Sequence, residues 1–94
     1  MVLEVALIDV TDADAFEAAY RGARHLLVET PGCLSVRMTR GIESPKRFVL
    51  LVEWESVNAH EINFRQTETF RAWRTAIGPF FATPPRVEHF TDVG

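Results

Sequence analysis

Apolar residues recur along the chain with two different periods, and the period changes wherever turn-forming residues cluster. Val2 to Asp9 is apolar and branched, interrupted by Glu4, and predicts a strand. Thr11 and Asp12 then offer helix caps, and Asp14 adds negative charge near the first turn, where it complements the helix dipole. Phe16, Ala19, Tyr20, Ala23, Leu26 and Leu27 follow at helical spacing, and Thr30-Pro31-Gly32 ends that helix.

Period two returns from about Cys33 to Arg40. Leu34, Val36 and Met38 alternate with Ser35, Arg37 and Thr39, which predicts a second strand with one drier face. Glu43-Ser44-Pro45-Lys46 reads as a turn, and Arg47 to Glu55 as a third strand, close enough in sequence to the second for an antiparallel hairpin. Ser56 can cap a short helix carrying Asn58, His60 and Phe64. A second short helix holds Phe70, Trp73 and Ile77 and ends at Gly78-Pro79. Pro84-Pro85 then introduces a last strand, Arg86 to about Thr91.

The element order is β-α-β-β-α-β with the second helix broken in two. That is the ferredoxin-like α+β plan, a single domain over residues 1–94 with one antiparallel sheet and its helices on one face. Phe48 to Val52 is apolar at every position, so both faces of the third strand call for burial. The domain's own helices cover one face. A second copy of the sheet is the simplest cover for the other, which predicts a homodimer joined sheet to sheet as an α/β barrel.

Composition narrows the classes. A chain of 94 residues buries roughly 60–65% of its unfolded surface, so its own core is modest and a partner subunit would help. The net charge is −3 with acids and bases interspersed, and no basic stripe exists to neutralise phosphates or an anionic membrane. Nucleic-acid and membrane partners are therefore not expected. The single cysteine, Cys33, forms no intrachain disulfide, and the N-terminus lacks the basic start and cleavage site of a signal peptide. Both features predict a cytoplasmic protein.

Cofactor signatures are missing from the sequence. The five glycines are isolated, so no dinucleotide or phosphate loop is spelled out. His60-Glu61 starts like a zinc-protease motif, but position 64 is Phe where a second His is needed, and His25 and His89 fall on other elements. No metal, flavin or nicotinamide is expected. Eight of the ten aromatics lie from Phe48 onward, and His60 shares a helix face with Phe64. Trp54 carries an indole N–H donor, His60 an imidazole that titrates near neutrality, and Asn58, Asn63 and Arg74 further donors. Phe70 and Trp73 suit either a core or a pocket wall. His25 complements a helix C-terminus, His89 suits a surface or an interface, and Cys33, Glu53 and Glu55 read as structural or solvated.

Several of these residues resemble a known family. Pro31-Gly32-Cys33-Leu34 opens the second strand. Pro45-Lys46-Arg47-Phe48 leads into Val49-Leu50-Leu51-Val52-Glu53-Trp54-Glu55-Ser56. His60 follows six residues after the Trp, then Phe64, then Phe70-Arg71-Ala72-Trp73. Over nearly its whole length the chain resembles the antibiotic biosynthesis monooxygenase domain. The resemblance implies a dimer with a pocket between helices and sheet in each subunit. It also implies oxidation of a small aromatic phenol, quinol or polyketide-like substrate by O2 without flavin, metal or nicotinamide. His60 and Trp54 would then be catalytic, with Asn58, Asn63, Phe64, Phe70, Trp73 and Arg74 binding substrate. Two alternatives stand beside this reading. One is a non-catalytic ligand-binding or stress-associated protein of the same fold. The other is a heme-degrading monooxygenase, whose relatives carry a first-strand Asn and a last-helix His; here those regions hold Ala6 and Leu7, and Trp73 and Arg74.

Overall fold

Residues 1–94 are described by a computed structural model. In chain order it contains β1 (Val2–Asp9), α1 (Ala13–Val28), β2 (Cys33–Arg40), β3 (Arg47–Trp54), α2 (Val57–His60), α3 (Glu68–Ile77) and β4 (Arg86–Phe90). The sheet runs β2-β3-β1-β4 and every neighbouring pair is antiparallel, so the ferredoxin-like α+β plan holds. No helix is long and apolar enough to cross a membrane.

Local chemistry explains the boundaries. The Asp12 side chain, not Thr11, caps α1 by accepting the Ala15 N–H at 3.1 Å. Ser56 does the same for α2 through the Ala59 N–H, and Thr67 for α3 through the Phe70 N–H. Between α2 and α3 the chain winds as one π-helical turn, Glu61–Arg65, which the sequence pattern had not distinguished from ordinary helix.

Parity along the strands divides the sheet. Glu4, Ala6 and Ile8 of β1 and Phe48, Leu50, Val52 and Trp54 of β3 point to the helices and are buried. Phe16, Tyr20, Ala23 and Leu27 of α1, with Trp73 and Ile77 of α3, close the core from above. Arg40 ties β2 to α1 through Asp14 at 3.0 Å and Glu17 at 2.8 Å. Leu34 departs from its expected place on the drier face: a register shift between Cys33 and Ser35 breaks the alternation, and Leu34 is exposed. On the face away from the helices, Leu3, Val5, Val49 and Leu51 form a half-buried apolar band flanked by Leu7 and Phe90.

Candidate functional site

The first strand carries the least expected residue. Glu4 has the parity of Ala6 and Ile8, so β-strand geometry turns its carboxyl into the apolar layer, where it is 5% exposed. An isolated carboxylate there would be costly, and two neighbours meet it. The Trp54 indole N–H donates to Glu4 Oε1 at 2.9 Å. His60 Nε2 lies 3.4 Å from the same oxygen. On the far side of that ring, His60 Nδ1 is 2.7 Å from His89 Nε2, a spacing that requires one ring to donate and the other to accept. Trp54 and His60 stack with centroids 5.0 Å apart and planes at 15°.

Each member is placed by a different element. β1 and β3 pair Val2 with Trp54 and Glu4 with Val52, which brings the Glu4 carboxyl beneath the end of β3. β4 pairs His89 with Glu4, which turns the imidazole inward. The Ser56 cap starts α2 directly above, and Gly32 allows the close approach. Its φ is +92°, and a Cβ there would lie 2.6 Å from the Ala59 Cβ. Asn63 secures the same junction by donating to the Pro31 carbonyl at 2.7 Å.

Burial acts on the two titratable groups in opposite chemical senses. It raises the Glu4 pKa from 4.5 to about 7, against the hydrogen bond from Trp54 and the charge of Arg65, while Glu61 pushes it further up. Burial also lowers the His60 pKa from 6.5 to about 4, and the positive charges of His89 and Arg65 add to the effect. At neutral pH the pair is a neutral imidazole beside a carboxyl poised to gain or lose a proton.

Glu4 and His60 both line a cavity of about 110 Å³ between sheet and helices. Ala6, Ile8, Leu50 and Val87 supply its sheet side. Phe64, Phe70, Trp73 and Ile77 supply aromatic and aliphatic walls from the helical side. Phe64 meets Phe70 and Trp73 edge to face, with centroids 5.4 and 6.3 Å away. Arg65 and Arg74 also line the cavity, and both guanidinium groups lie over the Phe70 ring.

The structure gathers some of the expected site residues and disperses others. His60, Phe64, Phe70, Trp73 and Arg74 share the cavity. Trp54 does not line it. It sits on the inward face of β3, fully buried, with its N–H already given to Glu4 rather than free for a substrate oxygen. Asn58 is exposed on α2 and Asn63 is bonded to Pro31; neither lines the cavity, because the helical turn points both outward. His89, expected at a surface or interface, faces inward onto His60 and is half-buried. Glu4 and Arg65 were not anticipated. The signal for Glu4 was its parity with Ala6 and Ile8; Arg65 had none, since the π turn sets its direction.

A ferredoxin-like sheet roofed by helices, with a carboxyl–imidazole cluster at the wall of an aromatic cavity, defines the class as a ferredoxin-like α+β domain with an enclosed apolar chamber. The family model for antibiotic biosynthesis monooxygenases matches residues 1–76, and the chain belongs to that family. YczJ, an uncharacterised protein of Bacillus subtilis, is 30% identical over 95 residues, covering 99% of this chain and 100% of YczJ. A Bordetella bronchiseptica crystal structure assigned to the same family superposes with a TM-score of 0.93 at 40% identity, over 98% of this chain and 96% of that one. SnoaB of Streptomyces nogalater, a cofactor-independent oxygenase, shares the fold at a TM-score of 0.86 and 17% identity, over 99% of this chain and 93% of its own.

Proposed function

We propose that the protein is a cofactor-independent monooxygenase that oxidises a phenol or quinol ring with O2 inside this cavity. The observation that carries the reading is the Glu4 carboxyl at the wall of an apolar, aromatic chamber, fixed by Trp54 and flanked by a neutral His60. Membership of the monooxygenase family supports the reaction class.

The chemistry asks little of a cofactor when the substrate is electron-rich. Glu4 takes the phenol proton, and the phenolate passes one electron to O2. The aryloxyl radical and superoxide combine at a ring carbon that bears hydrogen, forming a C–O bond. The peroxide anion recovers the proton from Glu4. Loss of the ring C–H proton with cleavage of the O–O bond gives a carbonyl and water, so phenol and O2 become quinone and water. The protein's contributions are the proton acceptor, the aromatic walls that exclude water, and the Arg65 and Arg74 charges close to the developing anion. His60 touches the cavity, whereas Trp54 acts through Glu4 and is a positioning residue.

Cavity size bears on the substrate. A cavity of about 150 Å³ holds a benzene ring in another protein. A volume of about 110 Å³ therefore suits one engaged ring, and further rings of a polycyclic substrate would extend through the cavity mouth. The heme-degrading alternative lacks its first-strand Asn and last-helix His, since Ala6 and Leu7 occupy the one region and Trp73 and Arg74 the other. The apolar outer band of the sheet supports a homodimer as the working form.

Oxygen uptake by chelator-treated protein with hydroquinones, naphthols and anthrones tests the reading. Uptake above the buffer rate is expected, with Glu4→Gln lowering kcat by roughly 10²–10⁴-fold and His60→Ala also lowering it. No uptake across the panel would overturn the oxygenase reading and leave a ligand-binding protein.

A further inference from the structure

At the cavity wall and behind it, His60, Glu61 and His89 bring one ligand atom each to within 4.8 Å of one another. They come from two elements distant in sequence, the α2–π turn and the edge strand β4. We propose that these three side chains form a binding site for a divalent first-row transition metal, with Glu4 as its outer carboxylate. The proposal stands whether or not the oxygenase reading does.

The orientation of His60 is the strongest ground. A metal-bound histidine generally gives its other ring N–H to a carboxylate, which fixes the tautomer and makes the ligating nitrogen more basic. His60 has a carboxylate within reach on one side of its ring and a second imidazole on the other. Nε2 faces Glu4 Oε1 at 3.4 Å, and Nδ1 faces His89 Nε2 at 2.7 Å. The Trp54 ring stacked on the imidazole and the Trp54 N–H on Glu4 hold both in place. An ion with metal–nitrogen bonds near 2.0–2.1 Å would part the two nitrogens to about 3.3 Å, replacing the single proton they now share. That needs the two nitrogens to part by about 0.6 Å and the His89 ring, on an edge strand, to turn so that both lone pairs converge on the ion.

Glu61 is available as the third ligand. Its partner Arg65 lies 3.9 Å away in a partly exposed pair of the kind that contributes little. Two imidazoles with one carboxylate favour zinc, cobalt, nickel, copper or iron over magnesium and calcium, which require more oxygen ligands. Glu4 and Glu61 together balance the ion's two charges. His60 is the only one of the three ligands that lines the cavity. The ion would thus pin β4 to the helical turn from behind that wall, with its remaining positions open to water.

Titration of chelator-stripped protein with Co2+ alone tests this, read by its visible d–d absorption and by calorimetry. One ion per chain is expected, with affinity reduced at least tenfold in His89→Ala and in Glu61→Gln, and by roughly 10–100-fold in Glu4→Gln. Because any variant can perturb the fold, the wild-type protein supplies a second reading: paramagnetic shifts of the His60 and His89 imidazole resonances on adding Co2+. Absence of binding at millimolar Co2+ would overturn the site. So would binding that both His89→Ala and Glu61→Gln retain, or that leaves the two imidazoles unshifted.

Discussion

Glu4 and His60 lie side by side at the cavity wall yet pull stability in opposite directions as pH changes. The His60 pKa is depressed on folding, so the unfolded chain binds more protons between about pH 4 and 6.5, and stability rises with pH across that window. The Glu4 pKa is raised on folding, so the folded chain binds more protons between 4.5 and about 7, and stability falls with pH there. The two effects are similar in size and nearly cancel. In metal-free protein, this cluster should therefore leave urea midpoints almost flat from pH 5 to 6.5. Glu4→Gln should expose the histidine alone, with stability climbing by up to about 3 kcal/mol from pH 4 to 6.5. His60→Gln should expose the opposite slope, falling from pH 4.5 to 7. Parallel pH profiles for the two variants would show that burial does not control these groups.

At the scale of elements, the site depends on how closely α2 can approach the start of β2. Gly32 stands at that junction with a positive φ and with its missing Cβ directed at Ala59. Both the backbone strain and the clash oppose any side chain here. Gly32→Ala should cost about 1–3 kcal/mol in chemical denaturation. It should also weaken the Trp54–His60 stack, which sits just beyond Ala59, and so change tryptophan fluorescence. Gly22→Ala is the control: it lies in α1 with nothing within 4 Å of its new methyl, and it should stabilise by about 0.5–1 kcal/mol. Equal effects of the two substitutions would mean that Gly32 has no special place.

For the whole molecule, the outer face of the sheet is the feature a single chain leaves unresolved. Leu3, Val5, Val49 and Leu51 form a continuous apolar band across the two central strands, with charged residues such as Arg37, Glu53 and Arg86 around it. Sedimentation equilibrium at micromolar concentration should give a dimer. Leu51→Lys, which places a charge at the centre of the band, should give a monomer with little change in the helix-facing core. A wild-type protein that sediments only as a monomer would refute the paired-sheet assembly.

The sequence by itself determined the element order, the parity of most strand positions though not of Leu34, and the caps Asp12 and Ser56 though not Thr67. These are local quantities: a period of two or 3.6, a short polar side chain before a helix, a glycine or proline after it. From them the ferredoxin-like plan followed, whereas the candidates His60, Trp54, Asn58, Asn63, Phe64, Phe70, Trp73 and Arg74 came from side-chain chemistry and the family resemblance, and only five of the eight line the cavity. Tertiary structure decided which polar groups meet. Glu4, Trp54, His60 and His89 lie on four separate elements, and no local period relates residue 4 to residues 54, 60 and 89. Only the β1–β3 and β1–β4 registers, together with the Gly32 approach, bring them to one point. Once there, burial in a shared apolar layer sets their protonation, takes the Trp54 N–H away from the cavity, and turns a glutamate that looked like an interruption in a strand into the group at the centre of the site.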